Sequence, residues 1–84
     1  MDLTGYAVIV NMPGYMPDNP PAIFRRLQDA RTYAANEAKG FRNEGWKVTG
    51  NMRDGYDCED RESSATYVIR IDGPYLYPEE AFDD

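Results

Sequence analysis

The stretch DGYDCEDRE, residues 54–62, sets five carboxylates, an arginine, a tyrosine and the only cysteine of the chain within nine positions. Such residues can hold a hard cation, act as an acid–base pair or activate a thiolate. A calcium loop needs oxygen ligands at fixed offsets, a glycine at the sixth place and a glutamate at the twelfth. Counted from Asp54, the third, fifth and sixth residues are Tyr56, Cys58 and Glu59; counted from Asp57, the fifth is Arg61. Neither register makes a calcium loop. Zinc calls for Cys and His ligands, and the chain has one Cys and no His.

Catalysis fares no better. Without His the commonest general base is missing, and serine occurs only as Ser63 and Ser64. Cys58 sits between Asp57 and Glu59, which raise a thiol pKa and blunt its nucleophilicity. A carboxylate pair for glycoside chemistry needs a cleft between its members, for which 84 residues leave little room. The proline-rich MPGYMPDNPP carries neither a dinucleotide fingerprint nor a Walker lysine. The expectation is a non-enzymatic protein with no metal and no cofactor.

What remains for the carboxylates is recognition. Residues 1–53 hold seven Lys/Arg against five Asp/Glu, a net of +2, whereas residues 54–84 hold two against ten, a net of −8. That field disfavours nucleic acid and attracts basic surfaces. The candidate partner-binding residues are Asp54, Tyr56, Asp57, Glu59, Asp60 and Glu62 in the central stretch and Tyr77, Glu79, Glu80 and Asp83 near the end. The aromatics would anchor and the charges steer. A basic protein surface is the expected partner, such as that of a nucleic-acid-binding host protein or a CRISPR effector.

These residues must be positioned by one small domain, residues 1–84, with an acidic tail from about residue 78. One cysteine and a short, acidic start are expected of a protein of the reducing host cytoplasm, with no membrane span. GYAVIVNM reads as a strand with Tyr6, Val8, Val10 and Met12 on one face and Ala7, Ile9 and Asn11 on the other. PGYMPDNPP, residues 13–21, reads as a loop, with Tyr15 and Met16 expected to pack on the body. Asn19 and Pro20 could cap and open a helix; a later start at Leu27 is preferred.

Leu27, Ala30, Ala34, Ala38 and Phe41 recur at helical spacing and make a shallow stripe. Gly45 suits the left-handed position past a helix end, which would place Trp46 against Phe41. Gly40 is a propensity cost inside that helix, with a kink or fraying as its expected sign. Arg–Glu pairs are expected along its solvated face. WKVTGNMRDGYDCE alternates as one arm, with Trp46, Val48, Met52, Tyr56 and Cys58 on one face and a bulge or bend at Gly50 and Gly55. DRESS reads as a turn and ATYVIRI as the last strand, with Tyr67, Ile69 and Ile71 inward; GPYLYPEEAFDD breaks it. The expected fold is α+β: β-α-β-β, a three-stranded, mainly antiparallel sheet in order 1-3-2 with one helix on one face. The open face, with Ala7, Ile9 and Val68 flanked by Thr49, Thr66 and Arg70, is a further reading as a homodimer surface.

PGYMPDNPP, LQDARTYAANEA and GWKVTG, within about residues 6 to 56, resemble a family of small uncharacterised actinobacterial-phage proteins. The family pattern is a strand, a Pro-Gly-Tyr loop, a helix beginning Leu-x-x-Ala and a Gly-aromatic-x-Val strand. The chain departs from it at Arg26, where a Thr or Ser cap is expected. The resemblance implies no function. In size, acidity and element order the chain is also similar to phage inhibitors of host defence, including anti-CRISPR proteins, a likeness of type and not of motif. It implies an accessory protein that binds and inhibits a host or defence protein. Two other readings stay open: a nucleic-acid-binding accessory protein using the Arg-bearing helix, although nucleic acid is disfavoured by charge, and a virion structural or assembly protein.

Overall fold

The structure, a computed structural model, describes residues 1–14 and 20–84. It is α+β, with one helix on an antiparallel sheet. The expected packing of Tyr15 and Met16 and the Asn19 cap lie outside the described residues. Strand β1 is Asp2–Asn11, β2 Ala22–Phe24, helix α1 Leu27–Asn43, β3 Lys47–Asn51, β4 Gly55–Glu59 and β5 Thr66–Pro78, followed by a 3-10 turn at Glu79–Ala81. The sheet order is β2-β1-β5-β4-β3, with all neighbours antiparallel.

The helix follows its sequence signals. Ala30, Ala34 and Ala38 are buried and meet Val8, Tyr56, Cys58 and Ile69 of the sheet. Methyl-sized side chains let the backbone lie close to the strands, and Leu27 and Phe41 flank the stripe, half-buried. At the C-terminus Trp46 N–H donates to Phe41 C=O at 3.0 Å and Gly45 N–H to Arg42 C=O at 3.0 Å. This is the Schellman pair, with Gly45 at φ +91°. The Trp46 and Phe41 rings meet edge-on at 5.0 Å. Arg26, the N-cap residue, makes no side-chain cap; Asp29 in the first turn supplies the favourable negative charge instead. The helix runs through Gly40 to Asn43.

The sheet has five strands, not the expected three. The single arm expected over residues 46–59 is two strands. Asn51 reverses the chain: its Oδ1 accepts from Arg53 N–H and Asp54 N–H, both at 2.9 Å, and its Nδ2 donates to Asp54 Oδ2 at 3.1 Å. Val48 then stands opposite Cys58 and both face the helix. A strand that continued straight would show the same parity, which is why the turn is hidden in the alternation. Gly50 and Gly55 flank that reversal and are not a bulge in one strand. β2 is the second addition, three residues paired to Tyr6, Ala7 and Val8. Helix α1 therefore links the two edge strands, β2 and β3.

The third correction is at the end of the chain. β5 does not stop at Ile71; it passes the cis Gly73–Pro74 bond and pairs Tyr75, Leu76, Tyr77 and Pro78 with Gly5, Thr4, Leu3 and Asp2. The last residues then fold back. Glu79 N–H donates to Met1 C=O at 3.1 Å, Phe82 meets Tyr77 edge-on at 6.3 Å, and Asp83 pairs with Ile23. That pairing imitates a strand: Asp83 N–H donates to Ile23 C=O at 2.8 Å and Ile23 N–H donates to Asp83 Oδ2 at 2.7 Å. Asp84 Oδ2 accepts Arg25 N–H at 3.2 Å. The outer edge of β2 is thus closed by the acidic end of the chain. Gly5 makes the return path available, since a Cβ there would lie 2.6 Å from Phe82 Cε2.

Two outcomes follow from this packing. Ala34→Leu forces a larger side chain into the helix–sheet contact and is expected to destabilise the protein by about 1–3 kcal/mol, read as a lower denaturant midpoint. Gly5→Ala is expected to displace Phe82 and release the closing segment, read as faster hydrogen exchange at the Ile23 amide while the amides of β4 and β5 stay protected.

Candidate functional site

The ten candidate residues do not form one patch. Asp54 and Asp60 lie in the turns at opposite ends of β4. Tyr77 and the acidic end lie further away: Thr66, which pairs with Glu59, and Tyr77, which pairs with Leu3, stand eleven residues apart on β5. At strand rise this is at most roughly 36 Å. The molecule is 46 Å long.

Several of the ten are occupied by the fold. Tyr56 is 5% exposed and belongs to the core with Ile69 and Cys58, so it is corrected from a surface anchor to a core residue. Asp54 is held by Asn51 in the β3–β4 turn. Asp60 builds the β4–β5 turn: its carboxylate accepts Glu62 N–H at 3.2 Å and Ser63 Oγ–H at 2.8 Å, and its backbone pairs with Ala65. Asp57 accepts Arg70 Nη2–H at 2.7 Å. Arg70 Nη1 donates across to Tyr56 C=O of β4 at 2.8 Å and to the C=O of its own neighbour Ile69 at 3.0 Å. With the two side chains 42% and 58% exposed, the ion pair itself contributes about 0–1 kcal/mol; its larger role is to fix Arg70 over β4. Asp83 is committed to Ile23, and Tyr77 is half-buried beside Phe82.

Of the ten candidates, four carboxylates have no ion pair or side-chain hydrogen bond among the described residues: Glu59, Glu62, Glu79 and Glu80. Glu59 lies on the helix-free face of the sheet, in register with Lys47 and Thr66. A shallow depression of ≈ 140 Å³ opens there, lined by Lys47, Thr49, Asp57, Cys58, Glu59 and Thr66. Small-molecule sites hold roughly 300–1,000 Å³, so it is undersized for one. Glu79 and Glu80 stand in the exposed 3-10 turn.

The chemistry of the central stretch is muted. Cys58 is fully buried, and burial first, then the Asp57 carboxylate, raises its thiol above the ordinary 9.0, with Arg42 and Arg70 pulling the other way. Among the described residues no group of three or more His, Cys, Asp or Glu could hold a metal ion. Tyr33 is raised by burial and then by Glu37 and Asp83; Tyr77 by burial, Asp72 and Tyr75. No described helix is long and apolar enough to cross a membrane.

The helix surface departs from expectation as well. The Arg70–Asp57 bridge is the ion pair of the described residues, and the expected Arg–Glu pairs along α1 are not formed. Arg25 instead lies over the Phe82 ring at 5.7 Å. Tyr75, which the sequence places as a possible aromatic anchor among the carboxylates of the chain end, is exposed; Leu76, which reads there only as a residue closing the core, is exposed as well.

Fold and site together define a small α+β protein with an antiparallel sheet, one helix and a divided acidic surface. No family model, no curated protein and no solved structure matches the chain.

The buried thiol gives a direct check. Because the folded protein holds the Cys58 proton more tightly than the unfolded chain, stability from this group is complete below about pH 9 and falls as pH rises toward the folded value. A disulfide reagent at pH 8 is expected to label Cys58 only as the protein unfolds, so the labelling rate should rise across the denaturant transition. Full labelling of the native protein within the mixing time would refute the burial.

Proposed function

We propose that this chain is a non-catalytic accessory protein of the phage-inhibitor type, which engages a basic host or defence protein through its acidic surface. The observation that supports this best is the separation of charge into free and committed groups. The carboxylates of Glu59, Glu62, Glu79 and Glu80 have no internal partner among the described residues. They remain available to steer a cationic partner. The buried, proton-retaining thiol and the undersized depression favour binding over chemistry.

The test is affinity capture from an actinobacterial host lysate treated with nuclease. A specific protein partner is expected at low salt and is expected to elute between about 0.1 and 0.5 M salt as screening shortens the reach of the charges. Glu59, Glu62, Glu79 and Glu80 changed together to Gln should lose that partner, and adding the native chain back to it should reduce its activity. Salt-independent capture, or an unaffected quadruple variant, would remove the acidic surface from the account.

A second reading draws on one observation. Arg25, Arg26, Arg31, Lys39, Arg42, Lys47 and Arg53 carry no ion pair among the described residues. Arg31, Lys39 and Arg42 lie on α1 and Arg25 and Arg26 just before it, and cations without an ion pair are what phosphate contacts require. A gel shift that weakens steeply with salt and disappears when Arg25, Arg26 and Arg31 are replaced by alanine would favour nucleic acid over protein.

A further inference from the structure

Resting on the reading that the chain binds a basic protein, we propose that docking occurs on the ribbon formed by residues 1–5 and 74–81, not at residues 54–62. The ribbon is where the strands β1 and β5 run on beyond β2, and where apolar side chains meet solvent. Met1 is 91% exposed, Tyr75 61% and Leu76 68%. Among the described residues the other large exposed apolar side chains, Tyr33 and Met52, are at 37% and lie elsewhere. Met1 stands just before β1, and Tyr75 and Leu76 follow one another on β5, one on each face of the ribbon. A protein of this size has little apolar surface to spare, and exposed apolar side chains brought together in space mark an interaction surface.

Charge identifies the occupant. No Lys or Arg occurs in residues 1–24 or 71–84. The ribbon instead carries Asp2, Glu79 and Glu80, all exposed and without an ion pair or side-chain hydrogen bond among the described residues. In residues 54–62, by contrast, Asp54, Asp57 and Asp60 are engaged by Asn51, Arg70 and the β4–β5 turn. An apolar surface ringed by carboxylates complements a recess ringed by Lys and Arg. The same carboxylates repel nucleic-acid phosphates and a second copy of the ribbon. The partner is therefore a basic protein surface that also offers apolar contact. The exposed end of the ribbon, with Tyr75 on one face and Leu76 on the other, enters the recess while Glu79 and Glu80 meet its rim.

Two synthetic peptides of equal charge test this, one of lysine alone and one alternating lysine and leucine, each titrated into the isotope-labelled full chain and followed by amide chemical shifts. The alternating peptide is expected to bind about tenfold more tightly, the effect of burying one or two apolar side chains. Its shifts should centre on residues 1–5 and 74–81. Tyr75→Ser with Leu76→Ser should reduce it to the lysine-only affinity, and the core amides should be unmoved because both side chains are exposed. Glu79→Gln with Glu80→Gln should weaken both peptides. Shifts centred on residues 54–62, equal affinity for the two peptides, or an unaffected Ser variant would overturn the ribbon while leaving the acidic-surface reading intact. Absence of binding by either peptide at low salt would overturn both. A single-stranded DNA that shifts the ribbon amides would overturn the choice of partner.

Discussion

The structure depends on how closely one helix can lie on the sheet. Ala30, Ala34 and Ala38 present methyl groups to Val8, Tyr56, Cys58 and Ile69. With no bulk on the helix side, the larger side chains come from the strands, and Tyr56 and Ile69 fill the layer between. This contact decides which face of the sheet is dry. Tyr6, Val8, Val10, Val48, Tyr67, Ile69 and Ile71 turn toward the helix, so their neighbours, among them Asp57, Glu59, Arg70 and Thr66, are carried to the other face. The close packing also needs a defined helix end. The Gly45 reversal and the Phe41–Trp46 contact provide it, and they deliver the chain to β3 beside the aromatic cluster of Phe41, Trp46 and Tyr67.

A sheet built this way has two edges, and the protein treats them differently. The β2 edge is closed by Asp83 and Asp84, whose carboxylates accept backbone N–H groups that would otherwise face solvent. Among the described residues the β3 edge carries no such cover, but it is short and bears Lys47, features that discourage strand addition. Closing the β2 edge consumes part of the acidic end of the chain, as turn building consumes Asp54 and Asp60. The net charge of residues 54–84 therefore overstates the charge available to a partner. What is left is divided between Glu59 and Glu62 near the β4–β5 turn and Asp2, Glu79 and Glu80 on the ribbon.

The local rules were legible in the sequence wherever a short window contained both partners of a contact. The alanine stripe, the Gly45 end and the Phe41–Trp46 contact all fall within one helix and its first following turn. The inward faces of β1 and β5 follow from alternation. The same alternation misled at residues 46–59, because Asn51 turns the chain without changing the parity of Val48, Tyr56 and Cys58. It was silent at Ala22–Phe24, where three residues are too few to show a period. Gly73 and Pro74 read as a strand end because neither favours a strand interior, yet β5 continues through them, since residues 2–5 lie ready to pair with it.

By itself the sequence determined the α+β class, the helix with its ends and its buried alanines, the inward side of β5, and the absence of histidine chemistry. Those are properties of spacing and composition. Tertiary structure alone decided the number of strands, the docking of Asp83 on Ile23, sixty residues distant in the chain, and the division of the carboxylates into engaged and free. A carboxylate's availability depends on which donors come within hydrogen-bond reach of it, and those donors are placed by contacts remote in sequence. The physical reason is that burial pattern is a local property of the chain, whereas charge compensation is settled only when distant segments meet.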